Sequence, residues 1–203
     1  MKGKFIVIEG IDGSGKTTQA LRLKQKLLDR GYTILHIREP GSTKIGEEIR
    51  RILLSKDYGD IHPRTEALLF MAARNELCQK EIIPALKNGK IIILERFHPS
   101  TICYQGSQEG ITRKEIEKLA LLATPDINPD LIIILDITPE EAFKRLKKSR
   151  DRFESKGIGY FKKVRNAFLD WAKNKKEALV VDSTLPKEKV AEIVFREVER
   201  VIS

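Results

Sequence analysis

The sequence predicts an α/β fold, a three-layer sandwich in which a five-stranded parallel sheet is flanked by helices. Five short, apolar, β-branched runs recur along the 203 residues, and stretches with helical periodicity separate them. Strands that alternate with helices form βαβ units with right-handed crossovers, and these build an open parallel sheet. A glycine-rich segment directly after the first run supports the same fold, because nucleotide-binding sandwiches have this order.

The predicted strands are short and almost uninterrupted in their hydrophobic character. Parallel strands that are covered on both faces have this pattern, whereas half-exposed strands alternate apolar and polar residues. In chain order the predicted strands are Lys4–Glu9, Thr33–Arg38, Lys90–Glu95, Leu131–Asp136 and Ala178–Asp182.

The predicted helices carry apolar residues at helical spacing and suitable residues at their ends. Gly31 and Gly89 stand where helix C-caps are expected, and Thr138-Pro139 followed by two glutamates is typical of a helix start. In chain order the predicted helices are Lys16–Arg30, Ile45–Ser55, Arg64–Asn88, Arg113–Ala123, Pro139–Lys148, Tyr160–Lys175 and Lys187–Ile202.

The length suits a single domain over residues 1–203, with one segment of different character. Residues 144–159 are dense in Lys and Arg and end in Gly157-Ile158-Gly159. We therefore predict a mobile lid at about residues 144–159.

The composition predicts a cytoplasmic protein without a membrane segment. No apolar run approaches the roughly 20 residues that span a bilayer. The start of the chain lacks the long apolar region of a signal peptide. Cys78 and Cys103 have no disulfide or metal-binding pattern, so reduced thiols are expected.

The net charge of +9 fits more than one explanation. A nucleic-acid binder, an enzyme with phosphorylated small substrates and a heat-adapted protein can all carry it. The basic residues are spread along helices instead of forming one tract with aromatic residues. We therefore expect no nucleic-acid partner, although the charge alone does not decide this.

The strongest motif lies between the first predicted strand and the first predicted helix. It supplies the expected ATP-binding residues, which are Gly10, Ile11, Asp12, Gly13, Ser14, Gly15, Lys16, Thr17 and Thr18. Glycines let the backbone fold so that successive N–H groups point at phosphate oxygens. Lys16 can then reach the β- and γ-phosphates, and the Thr17 hydroxyl can bind Mg²⁺. The motif predicts the P-loop NTPase form of the sandwich.

Charged residues follow three further predicted strands. They lie in Arg38-Glu39-Pro40-Gly41, in Glu95-Arg96-Phe97 and at Asp136. The carboxyl ends of parallel strands meet at one edge of a sheet, where ligands collect. Arginines and carboxylates beside a phosphate loop are suited to a phosphate and magnesium site.

Several segments together resemble the thymidylate kinase family. They are Arg38-Glu39-Pro40-Gly41, Leu69-Phe70-Met71-Ala72-Ala73-Arg74, Glu95-Arg96-Phe97 through Ser100 to Tyr104-Gln105, Leu135-Asp136 with Thr138-Pro139-Glu140, and Asp151-Arg152-Phe153-Glu154. The resemblance extends over essentially the whole chain. It implies transfer of the ATP γ-phosphoryl group to dTMP, giving dTDP and ADP, and it implies a homodimer.

The resemblance also implies an acceptor site for dTMP. Phe70 would stack on the thymine ring, and Arg74 would hydrogen-bond its carbonyl edge. Arg38 and Arg96 would hold the acceptor phosphate. Asp12 would accept a hydrogen bond from the 3′-hydroxyl, and Tyr104 would leave no space for a 2′-hydroxyl. The complete expected set is Asp12, Arg38, Phe70, Arg74, Arg96, Ser100, Tyr104 and Gln105.

The resemblance implies that the lid supplies a catalytic arginine. Some family members carry an arginine inside the phosphate loop, but this loop has Ser14 and no arginine. Arg150 and Arg152 are the candidates, and the choice between them stays open. Such an arginine would stabilise charge on the transferring phosphoryl group.

One segment departs from the family pattern. The family usually has Asp-Arg-Tyr or Asp-Arg-His where this chain has Glu95-Arg96-Phe97. Glutamate keeps the charge but lengthens the side chain by one methylene. We expect Thr17 and Glu95 to be the metal-binding residues. The expected catalytic residues are Lys16, Glu95, Arg96, Arg150 and Arg152.

Two other functions compete with this interpretation. Another nucleoside monophosphate kinase or a deoxynucleoside kinase could use the same scaffold, although a nucleoside acceptor would not need both Arg38 and Arg96. A nucleic-acid-dependent P-loop ATPase would need paired carboxylates at a strand end. Arg96 follows Glu95 and Ile137 follows Asp136, so the sequence lacks such a pair.

Overall fold

The computed structural model describes residues 3–124, 127–146, 151–173 and 175–203. In these ranges the five strands form one parallel sheet in the order β2-β3-β1-β4-β5. The strands are β1 (Lys4–Glu9), β2 (Ile34–Arg38), β3 (Ile91–Glu95), β4 (Leu131–Asp136) and β5 (Ala178–Asp182). The predicted α/β sandwich is confirmed, and the observed strands match the predicted ones within one residue at each end.

Helices cover both faces of the sheet. In chain order they are α1 (Lys16–Leu28), α2 (Lys44–Leu54), α3 (Pro63–Leu77), α4 (Ile83–Lys87), α5 (His98–Gln105), α6 (Arg113–Ala123), α7 (Pro139–Arg145), α8 (Gly157–Ala172) and α9 (Lys187–Ile202). No helix in the described ranges is long and apolar enough to cross a membrane.

Side-chain alternation along β1 divides the core into two layers. Ile6 and Ile8 pack with α1 and α9, whereas Phe5 and Val7 pack with α5 and α8. Because both faces are buried, the strand is apolar at nearly every position. The central place of β1 sets the phosphate loop, which follows it, in the middle of the carboxyl edge of the sheet.

The predicted helix Arg64–Asn88 is interrupted. The π-helical segment Cys78–Ile82 separates α3 from α4, and the Ile83 N–H donates to the carbonyl of Cys78, five residues earlier. Pro84 has no N–H to donate to the carbonyl four residues before it, and its ring crowds that carbonyl. The wider π turn accommodates both effects.

Helix α5 was missing from the sequence prediction. Its eight residues include Pro99 and the β-branched Thr101 and Ile102, so the helical periodicity is weak. The N–H groups at its start have an acceptor that is distant in the sequence. A Glu9 oxygen accepts from Phe97 N at 2.7 Å and from Ser100 N at 3.2 Å. A helix start that depends on a residue 88 positions away leaves no local sequence signal.

The segment predicted to be a lid is described in two parts. Helix α7 ends at Arg145, residues 147–150 lie outside the described ranges, and a 3₁₀ turn at Glu154–Lys156 precedes α8. Helix α8 begins at Gly157, three residues before the predicted start. The first-turn N–H groups have no intrahelical partner in any helix, so glycines cost little there.

Candidate active site

The phosphate loop connects β1 to α1 and folds tightly against α7. Gly13 has φ of 80°, and a Cβ atom built on it would lie 2.4 Å from the carbonyl oxygen of Ala142. Only glycine fits a backbone in this position and conformation. Helix α1 begins directly after Gly15, so its free N–H groups face the loop.

Lys16 closes the loop on itself. Its Nζ donates to the carbonyls of Gly10 at 3.1 Å and Ile11 at 2.9 Å. Burial and the nearby Arg96 lower the pKa of Lys16 to about 8. A phosphate group beside this amine would favour its charged form, as an opposite charge does for any ionisable group.

Two neighbouring cavities with shared lining residues lie at this edge of the sheet. The larger, of about 710 Å³, is lined by residues 12–19 and by Arg145, Ser183, Leu185, Pro186 and Lys187. The smaller, of about 70 Å³, includes Phe70, Arg74, Ser100, Tyr104, Gln105 and Phe153 in its wall. Asp12, Glu39, Arg50 and Arg96 line both cavities. A ligand in one cavity therefore adjoins a ligand in the other.

The structure brings together most of the expected acceptor residues. Asp12, Phe70, Arg74, Arg96, Ser100, Tyr104 and Gln105 all line the smaller cavity. Arg38 lines the larger one, where it pairs with Glu47 at 2.9 and 3.2 Å. Asp136 lines neither of these cavities and instead forms two hydrogen bonds with Arg165.

Arg74 lies at the buried end of the smaller cavity, with only 1% of its surface exposed. It donates to Glu39 at 2.7 Å and to the Phe97 carbonyl and the Thr101 hydroxyl at 3.0 Å. It also contacts His98 Nδ1 at 3.1 Å and Met71 Sδ at 3.4 Å. These partners fix the plane of the guanidinium group before any ligand binds.

Glu39 is a functional candidate that sequence reasoning did not select. Burial raises the pKa of Glu39 to about 7, even though Arg74 opposes this shift. Its Oε1 atom has no hydrogen-bond partner within the described residues. A buried carboxylate oxygen without a partner, beside both cavities, is suited to a bound ligand or water.

Arg96, Asp12 and Tyr104 form a charged cluster between the two cavities. Arg96 donates to Asp12, to Ser100 Oγ at 3.1 Å and to the Tyr104 hydroxyl at 3.2 Å. Burial opposes the charged form of Asp12, but Arg96 and Lys16 outweigh it and lower the pKa of this carboxyl. The Tyr104 hydroxyl also donates to Asp12 at 3.1 Å.

Glu95 and Thr17 meet in the larger cavity. The Thr17 hydroxyl donates to Glu95 Oε2 at 2.5 Å, and His36 Nε2 lies 2.9 Å from Glu95 Oε1. Burial acts to raise the pKa of Glu95, but hydrogen bonds from His36 and Thr17 outweigh it and lower the pKa. The carboxylate is therefore held in its charged form.

Glu9 was also missed by the sequence reasoning. It is fully buried at the end of β1, and its two oxygens accept from Phe97 N, Ser100 N and Ser100 Oγ. Burial raises the pKa of Glu9 despite these hydrogen bonds. A glutamate at the end of a hydrophobic run was the available signal, because such a carboxylate must find partners.

Arg152 does not line either cavity. Its Nη1 donates to the fully buried Glu66 at 2.5 Å, and its Nε donates to the Leu53 carbonyl at 3.0 Å. Gln105 and Gln108 each donate to the other oxygen of Glu66 at 3.0 Å. Glu66 thus ties the segment after residue 150 to α3 and α5. The other lid candidate, Arg150, lies outside the described residues.

A phosphate loop that opens onto an aromatic, arginine-lined pocket, on a parallel sheet of this order, defines a P-loop nucleotide kinase. The family model for thymidylate kinase matches residues 8–194 of the chain. The chain therefore belongs to the thymidylate kinase family.

Individual relatives agree with this family. A thymidylate kinase from Thermoanaerobacter sp. (strain X514) is 47% identical over 174 residues, 85% of each chain. One from Thermosipho melanesiensis is 39% identical over 199 residues, which cover 98% of this chain and 96% of the relative. One from Pelotomaculum thermopropionicum is 39% identical over 206 residues, which cover 100% of this chain and 95% of the relative.

The buried Glu66 yields a stability prediction. Glu66→Ala leaves the Arg152 guanidinium, which is 6% exposed, without its charged partner. Removing one partner of a buried ion pair typically costs about 3–5 kcal/mol. We expect a loss of this size in the free energy of unfolding, measured by denaturant titration.

Glu48→Ala is the matched control for this prediction. Glu48 pairs with Arg51 on the surface of α2, where both side chains are mostly exposed. Its removal should leave the free energy of unfolding nearly unchanged. If Glu66→Ala is no more destabilising than Glu48→Ala, then Glu66 does not anchor Arg152.

Proposed function

We propose a route by which this thymidylate kinase family member transfers the γ-phosphoryl group of ATP to dTMP, giving dTDP and ADP. The observation that supports the route best is the junction of the two cavities at Asp12, Arg50 and Arg96. Phosphoryl transfer asks little covalent chemistry of the protein. It depends on positioning the two substrates and on neutralising charge between them.

ATP occupies the larger cavity in this proposal. The N–H groups of residues 13–17 surround the β- and γ-phosphates, and Lys16 moves its hydrogen bonds from the loop carbonyls to phosphate oxygens. Some residues line this cavity but not the smaller one; they include Arg145, Ser183, Leu185, Pro186 and Lys187. We propose that these residues contact the nucleoside part of ATP.

The proposed metal ligands are Thr17 and Glu95, whose oxygens meet in the larger cavity. The described residues contain no group of three or more His, Cys, Asp or Glu that could hold a metal alone. This fits Mg²⁺, which typically takes one or two protein oxygens together with substrate phosphates. Bound Mg²⁺ would neutralise charge on the β- and γ-phosphates.

The monophosphate occupies the smaller cavity. Phe70 stacks on the base, and Gln105 completes this end of the pocket. Arg74 binds the carbonyl edge of thymine by turning one Nη1 N–H away from Met71 Sδ, a weak acceptor at 3.4 Å, and keeps its other hydrogen bonds. Arg96 and Ser100 bind the phosphate together with Arg38, which reaches it from the larger cavity. Arg50 lines both cavities, so it is a further candidate to bind this phosphate.

Tyr104 and Asp12 select the sugar in this proposal. The Tyr104 ring is buried, and rings of Phe153, Phe161 and Phe168 surround it at centroid distances of 6.2 Å. A wall this firmly packed cannot move aside for a 2′-hydroxyl. Asp12 binds the 3′-hydroxyl, and its lowered pKa keeps it a hydrogen-bond acceptor.

The activity is tested by a coupled assay with ATP and Mg²⁺. Each nucleoside monophosphate and each deoxynucleoside is supplied in turn as the acceptor. Rapid ADP formation with dTMP, and slow formation with the others, supports the proposed pocket. Brisk phosphorylation of a different acceptor, or hydrolysis stimulated by nucleic acid, would contradict it.

Phe70→Ala should raise the KM for dTMP far more than the KM for ATP. The ring lines only the acceptor cavity, so its loss removes base stacking and leaves the ATP cavity intact. Both constants are measured by steady-state kinetics. Phe195→Ala is the control, since Phe195 is a buried ring between α1 and α9. Equal changes in the two KM values for Phe70→Ala would argue against stacking.

The lid arginine is the last part of the proposal. Arg152 is nearly buried, its guanidinium lies 4.6 Å from the Phe153 ring centroid, and it pairs with Glu66. These contacts suit an anchor that keeps Phe153 in the acceptor pocket. We therefore propose that Arg150 supplies charge to the transferring phosphoryl group and that Arg152 holds the segment in place.

Arg150→Ala should lower kcat about a hundredfold or more without lowering the unfolding temperature, because a transition-state charge is lost. Arg152→Ala should lower the unfolding temperature, because the buried Glu66 then loses its closest charged partner. Kinetics and thermal unfolding of the two variants separate these roles. The assignment is reversed if Arg152→Ala alone lowers kcat at unchanged stability.

The homodimer is also a proposal, supported by an exposed apolar surface on α3 and α6. Leu68, Leu121 and Leu122 are 50%, 73% and 80% exposed, and α3 packs against α6. Leu121→Lys with Leu122→Lys should therefore shift the mass measured by light scattering from dimer to monomer. A monomeric wild-type chain at micromolar concentration would rule the proposal out.

A further inference from the structure

His36 lies beside the proposed metal site but lines neither the larger nor the smaller cavity. It sits on β2, the strand next to β3, and the register of the two strands pairs Arg38 with Glu95. Its ring nitrogen Nε2 lies 2.9 Å from Glu95 Oε1, while the other oxygen of Glu95 accepts from Thr17. The two carboxylate oxygens therefore have different partners.

The contact is well shielded from water. The side chains of His36 and Glu95 are only 14% and 9% exposed. Glu95 is charged and can only accept hydrogen bonds, so the His36 Nε2 carries the proton in this contact. A charge-assisted hydrogen bond in such a place constrains orientation more strongly than one on the surface.

The length of Glu95 makes this constraint useful. A glutamate has one more rotatable bond than an aspartate, so the strand backbone alone fixes its carboxylate less well. The β3 backbone sets where the side chain starts, and the contacts at Oε1 and Oε2 set where it ends. Thr17 is itself a proposed metal ligand, so His36 is the partner that remains when the metal binds.

We propose that His36 is a positioning residue for the divalent cation. Its Nε2–H holds Oε1 of Glu95, so that Oε2 faces Thr17 and the phosphate loop. Residues that orient a metal ligand in this way typically change metal affinity or activity about 10–100-fold when they are lost. The inference rests on the proposed metal role of Thr17 and Glu95.

The test measures nucleotide binding with and without metal. Calorimetry gives the affinity of each variant for the non-hydrolysable ATP analogue AMPPNP, first with Mg²⁺ and then with EDTA. His36→Ala should weaken binding of the Mg²⁺ form about tenfold or more. It should change binding of the metal-free form little, because His36 lines no part of the nucleotide cavity.

Three further variants separate positioning from packing. His36→Gln keeps an N–H donor and should restore most of the lost affinity. Leu35→Ala shortens a neighbouring side chain of β2 that packs on the core, so it should lower stability without a metal-specific loss. In the Glu95→Gln background, His36→Ala should cause little further loss, because both changes act on one interaction.

The possible failures are distinguishable. If Glu95→Gln weakens only the Mg²⁺ form while His36→Ala weakens both forms equally or neither, the role of His36 is wrong and the metal role of Glu95 stands. If Glu95→Gln itself produces no metal-specific loss, the proposed metal ligand is wrong and the inference fails with it.

Discussion

The site depends on one buried carboxylate, that of Glu9. It ends the central strand β1 and binds the backbone at the start of α5, so it joins β1 to the turn that follows β3. Arg96 lies in that turn with φ of 69°, a left-handed conformation that costs a non-glycine residue about 1 kcal/mol or more. The Arg96 N–H donates to the Ile8 carbonyl at 3.0 Å, and the Phe97 N–H donates to Glu9, so both ends of this turn are held against β1. The position of the Arg96 guanidinium relative to the phosphate loop is therefore fixed.

Four arginines in or near the cavities each pair with a carboxylate of the same chain. Arg38 pairs with Glu47, Arg74 with Glu39, Arg96 with Asp12 and Arg152 with Glu66. In the first three pairs the carboxylate orients a guanidinium group that lines a cavity, which reduces the reorganisation needed when charge develops there. The Arg38–Glu47 pair is the more exposed one, so breaking it costs less free energy if a phosphate competes for the arginine. The buried Arg74–Glu39 pair would cost more to break, so it is better suited to stay intact as part of the cavity wall.

The smaller cavity and the segment after residue 150 are physically linked. Glu66 binds Arg152 and also Gln105, and Gln105 lines the pocket. Phe153, the neighbour of Arg152, lies in the same wall with its ring centroid 6.0 Å from that of Phe70. A change at Glu66 would therefore reach the Phe70 side of the smaller cavity through packed side chains rather than through the sheet.

The sequence by itself determined the sheet, its parallel character and the phosphate loop. These features rest on local signals, since a buried parallel strand is apolar at most positions and the loop motif is contiguous. The helix boundaries were close for α1, α2, α6 and α9. The helical run predicted across residues 64–88 is confirmed at both ends, but a π-helical segment at Cys78–Ile82 divides it, because Pro84 disturbs the hydrogen bonds of the preceding turn.

Only the tertiary structure decided which polar residues meet. The start of helix α5 and the partners of the buried Glu9 could not be predicted from the sequence, because the N–H groups and their acceptor are far apart in the chain. The partners of Arg74, Arg152 and Glu95 likewise come from other elements. A residue type and its spacing limit the chemistry that a side chain can perform. The partner that fixes its orientation is set by how strands and helices pack, and that packing is non-local.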